Sequence, residues 1–379
     1  MNDPDHSVHG LAGDTMAPDW PPLTLREVEQ LLRGYPSLGM PNRIGWHSPR
    51  PLSAACLIDT DAGHSLFVKR HHRSVRSIAT LGEEHRFMAW LRAAGIPLAE
   101  VLSDNHGQTA VQRGDWVYEL HAQASGIDLY RETMSWVPPP ERRHAYTAGQ
   151  MLARLHDAAA GYEAAQRDTH ILVARSELIV AADPVATLQA QLARRPGLAD
   201  YLRHRDWPSD FARSLQPWHA IVQPRLIHQP RLWTHNDWHV SNLCWRDDSA
   251  EAPISAVLDF GLSAATFALF DLATAIERNA IAWLALDTGN QAVHTDIALA
   301  LIDGYRQQRP LDHAAVHLLA DLLPLVHMDF ALSEVEYFYA ITGSPANADI
   351  AYDTFLCGHA DWFTGGSGQQ LLQAIRGCA

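Results

Sequence analysis

Apolar and polar positions follow two regimes along the chain. Up to about residue 121 the apolar residues come in short runs separated by turn formers; beyond about residue 141 they recur at helical spacing. Thr24-Leu25-Arg26-Glu27 is a T-x-x-E capping box ahead of an amphipathic helix that ends near Gly34. Ile44–Trp46 and Ala54–Asp59 are apolar runs bracketing a turn at 46–53, and Ser65–Lys69 reads as a further strand after Asp61-Ala62-Gly63. Leu81–Ala94 is helical, with Phe87, Met88, Trp90 and Leu91 on its apolar stripe. Thr109–Gln112 and Trp116–His121 read as a hairpin around Arg113-Gly114-Asp115.

The second regime starts with a helix over Glu141–Ala160, carrying Ala148, Met151, Leu152 and Leu155. Helices interrupted by proline follow over 183–224. Others are expected over 266–286, 294–308, 312–341 and 346–363. The predicted fold class is therefore α+β and bilobal. Residues 1–21 are expected to be a disordered lead-in, 22–121 a small β-rich lobe, and 122–379 a larger, mainly helical lobe.

Composition narrows the function. The chain has 379 residues, four scattered cysteines and a net charge of −14. No disulfide framework or zinc knuckle is spelled out, which fits a reducing cytoplasm. The acidic balance disfavours nucleic acid as a partner, and no run of apolar residues is long and uncharged enough to expect a membrane span. Twenty-two histidines show no HExxH spacing, and His71–His72 is expected at a solvated strand end. Of the 29 basic residues, 28 are arginine and one, Lys69, is lysine. In such a background the one lysine is expected where a compact, rotatable ammonium is needed and a flat guanidinium does not fit.

Between the helical stretches lies His235-Asn236-Asp237-Trp238-His239-Val240-Ser241-Asn242, then a turn-rich patch, the strand Ile254–Leu258, and Asp259-Phe260-Gly261. This is H-x-D-x-x-x-x-N, a hairpin, and D-F-G, the order of a kinase catalytic loop and its metal-binding strand. Asp237 is the expected base. Asn242 and Asp259 supply an amide oxygen and a carboxylate suited to Mg2+. Lys69 is expected on the phosphates of ATP, held by Glu84 on the next helix. Segment 118–121, with Glu119 and His121, is expected to be the lobe hinge. The turn at 46–53 lacks glycine, so Ser48, Arg50 and Ser53 would have to cover the phosphates.

With these motifs, and with Glu84–Leu91 (EHRFMAWL), Gly126, Gly149–His156 and Phe270-Asp271-Leu272-Ala273, the sequence resembles the aminoglycoside phosphotransferase and choline kinase superfamily over about residues 40–285. The resemblance implies a protein-kinase-like fold and ATP- and Mg2+-dependent phosphorylation of a small-molecule alcohol. It also implies that Asp271 braces the catalytic loop, as Leu155-His156 and His235 brace their surroundings. The chain departs from the family's H-G-D-x-H-P-x-N at Asn236 and Trp238.

No A-P-E motif follows D-F-G, and Asp271 comes twelve residues after Asp259, which disfavours a protein kinase. Arg70 follows the one lysine, so no Walker motif exists. The other class left open is a nucleotide-binding module without turnover. For the acceptor, Asp329, Ser333 and Glu336 form one helical stripe, with Tyr337, Tyr339, Asp349, Tyr352, Asp353, Asp361 and Trp362 nearby. These either form an acidic, aromatic pocket for an amine-bearing alcohol or are core and solvated side chains.

Overall fold

The computed structural model describes residues 6–11, 13–134 and 136–379. The first lobe is a five-stranded antiparallel sheet: β1 (Pro41–His47), β2 (Ala54–Thr60), β3 (Ser65–His72), β4 (Ala110–Arg113) and β5 (Trp116–Ala122), in spatial order β1-β2-β3-β5-β4. Side chains on a strand point alternately to its two faces, and this alternation builds the lobe. Cys56, Ile58, Leu66, Val68, Tyr118 and Leu120 face one way and are buried with Val28, Leu31 and Leu32 of α1 (Leu25–Leu32). The intervening residues, among them Leu57, Phe67, Lys69, Glu119 and His121, line the opposite face. The α1 start is the expected capping box, with Thr24 accepting from the Glu27 N–H and Glu27 accepting from the Thr24 N–H. The second helix, α2 (Ile78–Ala93), starts on a Ser77–Thr80 box and sends Phe87 and Leu91 into the main core.

The second lobe is helical, with two small hairpin-like sheets set into it. Strands β6 (Arg231–Thr234) and β9 (Ala264–Phe267) pair antiparallel, as do β7 (Leu243–Trp245) and β8 (Ile254–Val257). Behind them lie α3 (Arg142–Ala159), α4 (Ala268–Ala280) and α5 (Thr295–Arg306). Helices α3 and α5 approach closely because both carry glycine at the contact. A Cβ on Gly149 would sit 2.0 Å from the Leu301 carbonyl oxygen, and one on Gly304 would sit 1.9 Å from that of Tyr146. The run His313–Ile341 is apolar enough to pass a length-and-composition test for a membrane span, but 78% of its apolar window is buried inside the fold, as in a core helix.

Two sequence expectations change here. The lead-in over 1–21 was expected to be disordered, yet its described part is laid against the body. Val8–His9 pairs with Thr15–Met16, and the His9 N–H donates to the Pro49 carbonyl. Trp20 stacks on His72 at 4.9 Å and donates from its indole N–H to the Tyr337 hydroxyl, which itself donates to Asp19. The apolar Trp20 ring and its polar edge supply what the acidic composition concealed. His71 and His72 are likewise not a solvated pair. His71 is buried against Glu119, and His72 is covered by Trp20 and Trp116.

Candidate active site

The catalytic-loop residues are placed by backbone geometry that few residue types tolerate. Asn236 has φ +63° and Asp259 has φ +51°, both in the left-handed region, where asparagine and aspartate are the non-glycine residues best tolerated. Asn236 stands where the resembled family has glycine, and this φ explains the exchange. Its side chain then holds the turn: Oδ1 accepts from Thr234 and Thr266, and Nδ2 donates to the Thr234 carbonyl. Asp271, fully buried on α4, accepts the backbone N–H groups of both His235 (2.9 Å) and Asn236 (2.8 Å), and His156 bonds to it at 3.0 Å. Burial pushes its carboxyl up, but the His156 hydrogen bond and charge, with His235, hold it below the ordinary value. His235 bridges the Leu258 carbonyl and the Asp237 N–H, joining loop to D-F-G strand. Trp238 is not at the acceptor; it is buried and bonds the Ala148 carbonyl, anchoring the loop on α3.

The β7–β8 hairpin folds Asp259 back beside Asn242, with the Leu258 N–H donating to the Asn242 carbonyl at 2.8 Å. Asn242 gives its amide NH2 to the Asp237 carboxylate (3.1 Å) and carbonyl (2.8 Å), which leaves its side-chain oxygen as the group free for a cation. Lys69 lies 3.1 Å from Asp259 Oδ1, which also accepts the Gly261 N–H. Burial pushes the Asp259 carboxyl up; the Lys69 charge and hydrogen bond outweigh this and hold it at about 2. Conversely, Asp259, Glu119 and Glu84 overcome burial and raise Lys69 above its ordinary value. A carboxylate and an amide oxygen on adjoining walls fit the hard-oxygen preference of Mg2+.

Lys69, Glu84, Ser48, Ser53, Glu119, His121, Asn242 and Asp259 all line one cleft between the lobes, with Asp237 at its edge through Asn242. Three of these residues have neighbours other than those expected. The ion partner of Lys69 is Asp259, not Glu84. Glu84 is instead engaged by Arg167, a fully buried arginine that also donates to the Thr80 and Ser263 carbonyls. Segment 118–121 is not the hinge. It lies inside β5, its backbone paired with β3 and β4. Both Glu119 oxygens are taken by imidazoles: His71 at 2.9 Å, His85 at 2.8 Å and His121 at 3.0 Å. The chain that crosses between lobes along the cleft is Ala122–Gly126. Gly126 is required there, since a Cβ would lie 2.3 Å from the Trp245 carbonyl oxygen.

Sequence reasoning missed Arg278, Arg167 and Arg76. Arg278 pairs with Asp237 across the loop, and seven residues separate it from Asp271, so both lie on one face of α4. That spacing was a usable signal. Arg76 and Arg167 bind loop carbonyls, including that of Gly261 from Arg76, and nothing local in sequence announces them. Arg50, named only as a cover, donates to the Thr133 carbonyl, and the charges of Asp237 and Asp259 act on it. The expected acceptor stripe is engaged elsewhere. Asp329 accepts from the Leu178 N–H, Ser333 from the Leu172 N–H, and Glu336 pairs with Arg195. Asp349 and Asp353 pair with Arg205. A buried acid whose charge is felt by Arg278 and Asp237 is Glu334; burial pushes its carboxyl up to about 7.

The model of the phosphotransferase enzyme family matches residues 52–321. The chain belongs to that family. The matched range takes in β2, β3, β5, the H-N-D loop, D-F-G and Asp271. Homoserine kinase of Methylobacterium radiotolerans is 26% identical over 248 residues, 65% of this chain and 66% of that protein. The match therefore takes in just under two thirds of that curated relative's length. Among solved structures, a microcompartment-associated aminopropanol kinase is similar with TM-score 0.55 at 17% identity, covering 92% of this chain and 100% of that one. An amicoumacin kinase complexed with AMP-PNP and Ca2+ gives 0.54 at 15%, covering 93% and 94%. An aminoglycoside phosphotransferase of Alicyclobacillus acidocaldarius gives 0.52 at 14%, covering 95% and 97%. These likenesses establish the bilobal protein-kinase-like fold.

Proposed function

We propose that this family member transfers the terminal phosphoryl group of ATP to a hydroxyl of a small, amine-bearing molecule. The observation that carries the reading is the one cleft in which Lys69 of the first lobe meets Asp259 of the second while Asn242 meets Asp237. Mg2+, held by Asp259 and Asn242, would neutralise the charge on the polyphosphate. Lys69 offers a compact ammonium to the phosphates, and Arg50, Ser48 and Ser53 line the cover above them. Asp237 orients the acceptor hydroxyl and takes its proton as the new P–O bond forms and the bond to the leaving ADP oxygen breaks. Arg278 holds that carboxylate in place. Glu334, buried beside these groups, has one oxygen without a hydrogen-bond partner among the described residues, and an acceptor ammonium would supply one. Homoserine, the acceptor named for the relative, carries such an ammonium and a terminal hydroxyl.

The test is ADP release, with phosphorylated product identified by NMR, over a panel of hydroxylated amines that includes homoserine and aminoglycosides. Asp237→Ala is expected to lower turnover by roughly 100- to 10,000-fold while nucleotide affinity stays near that of the parent. Parent-like turnover in that variant removes Asp237 from the role. Nucleotide binding without transfer to any acceptor leaves the binding-module reading in its place.

A further inference from the structure

Two clusters of histidine and carboxylate among the described residues have ligand-like spacing, and their hydrogen bonding separates them. In the first, His85, Glu119 and His121, Glu119 Oε2 accepts from both histidines, its Oε1 accepts from His71, and the other nitrogen of His85 bonds the Thr109 hydroxyl. With His71 added, neither Glu119 oxygen is short of a partner.

The second, Glu277, His327 and His359, is not. It joins three segments distant in sequence: α4, the residue before the helix Met328–Glu336, and the start of the short helix His359–Trp362. His327 Nε2 lies 3.1 Å from Glu277 Oε2, and His359 Nε2 lies 3.7 Å from Glu277 Oε1. One potential donor atom from each residue falls within 4.8 Å of the others. His327 thus stands within reach of Glu277, and His359 within reach of the Pro324 carbonyl, yet among the described residues no ring nitrogen of either histidine, nor Glu277 Oε2, meets full hydrogen-bond geometry. Leaving several buried polar atoms unpaired costs about 1–3 kcal/mol each, so such a group calls for a partner. The surroundings are dry. Trp283 lies 4.8 Å from His359, Phe363 lies 5.3 Å from it, and Phe330 flanks His327. The Pro324 carbonyl acts on His359, in the manner of the outer partner that orients a ligating imidazole.

We propose that Glu277, His327 and His359 bind a divalent transition ion of the zinc class, separate from the Mg2+ expected in the cleft. Around a tetrahedral zinc, donor atoms at about 2.0–2.2 Å from the metal stand roughly 3.3 Å apart, close to the spacings found here. Two imidazoles and one carboxylate select such an ion over Mg2+, which prefers oxygen alone. The fourth position opens on the side of His327, whose side chain is 17% exposed against 2–3% for the other two. The ion would clip α4 to the segments at 327 and 359. The residue beside Glu277 is Arg278, which holds the carboxylate of Asp237, so the clip fixes the helix that positions the base.

The measurement uses the full chain without a polyhistidine tag and with no nucleotide or acceptor present, so its outcome is independent of the phosphotransfer reading. After dialysis against zinc and then metal-free buffer, elemental analysis is expected to give about one zinc per chain, and cobalt substitution is expected to give the visible bands of a tetrahedral ion. Glu277→Gln and His359→Gln should weaken zinc at least about tenfold in competition with a chromogenic chelator. His85→Gln, in the satisfied cluster, should not. Zinc at background in the parent chain, no tetrahedral cobalt spectrum, or equal retention by Glu277→Gln overturns the site. Where a variant does not fold, the cobalt spectrum of the parent chain decides alone.

Discussion

Two residues in the left-handed region carry the geometry of the catalytic loop. At Asn236, φ +63° allows consecutive backbone N–H groups to converge on Asp271. Glycine reaches this conformation freely, asparagine tolerates it, and a β-branched residue does not. Asn236→Gly is thus expected to stay within about 1 kcal/mol of the parent in stability. Asn236→Val should lose about 2 kcal/mol or more and most of its turnover. Urea unfolding and initial rates on the two variants check this; equal stability of both would mean the backbone is not strained there. At this scale the sequence singled out Lys69, Asp237, Asn242 and Asp259, and the fold brings all four to line or border one cleft. It was not legible where arginines act on distant carbonyls, as Arg76 and Arg167 do, because their partners are fixed only by the fold.

Among elements, the strands were legible as short apolar runs between turn formers, α1 from its capping box and α2 from its apolar stripe, while the Ser77–Thr80 start of α2 was not read. The misplaced element was the hinge. Tyr118–His121 was expected to cross between the lobes, but it lies inside β5 with its backbone paired on both sides. In fact Glu119 is a buried acceptor for three imidazoles on its own sheet face and on α2. Burial would raise its carboxyl, but the bonds from His121, His71 and His85 hold it well below the usual 4.5. Burial would lower His85, and the Glu119 bond reverses that, lifting it above 6.5. The carboxylate's contribution to stability is therefore full above about pH 4.5 and lost as pH falls below it. The His85 contribution is full below pH 6.5 and fades as pH climbs through its raised value. Glu119→Gln should cost about 3 kcal/mol near pH 6 and flatten the pH profile of the melting temperature on both flanks. A profile unchanged in shape would show that the network does not titrate as described.

For the whole molecule, the two lobes are joined by more than the chain crossing at Ala122–Gly126. Arg167, from the second lobe, reaches Glu84 and the Thr80 carbonyl on α2 as well as the Ser263 carbonyl beyond D-F-G. It couples the position of α2 to that of Asp259. Arg167→Met leaves those groups buried without their partner, at an expected cost of about 3–5 kcal/mol, and should expose the lobe junction to limited proteolysis. Parent-like melting and digestion would show that the lobes do not depend on it. The bilobal plan was legible in the switch from short apolar runs between turn formers to helical spacing; the junction was not, because ties between lobes leave no periodic trace.

The solitary lysine has a further consequence for anyone handling the protein. Amine-directed reagents find one ε-amine along the chain, and it stands in the cleft between the lobes, 14% exposed and paired with Asp259. Acylating the side-chain amine and disabling the cleft are the same event. Because only the deprotonated amine reacts, the ion pair that raises Lys69 also shields it. The rate of acylation, read by intact mass, should rise when Asp259→Asn removes that partner and fall when nucleotide covers the amine. The chain thus carries its own stoichiometric reporter of cleft occupancy, with no engineered label.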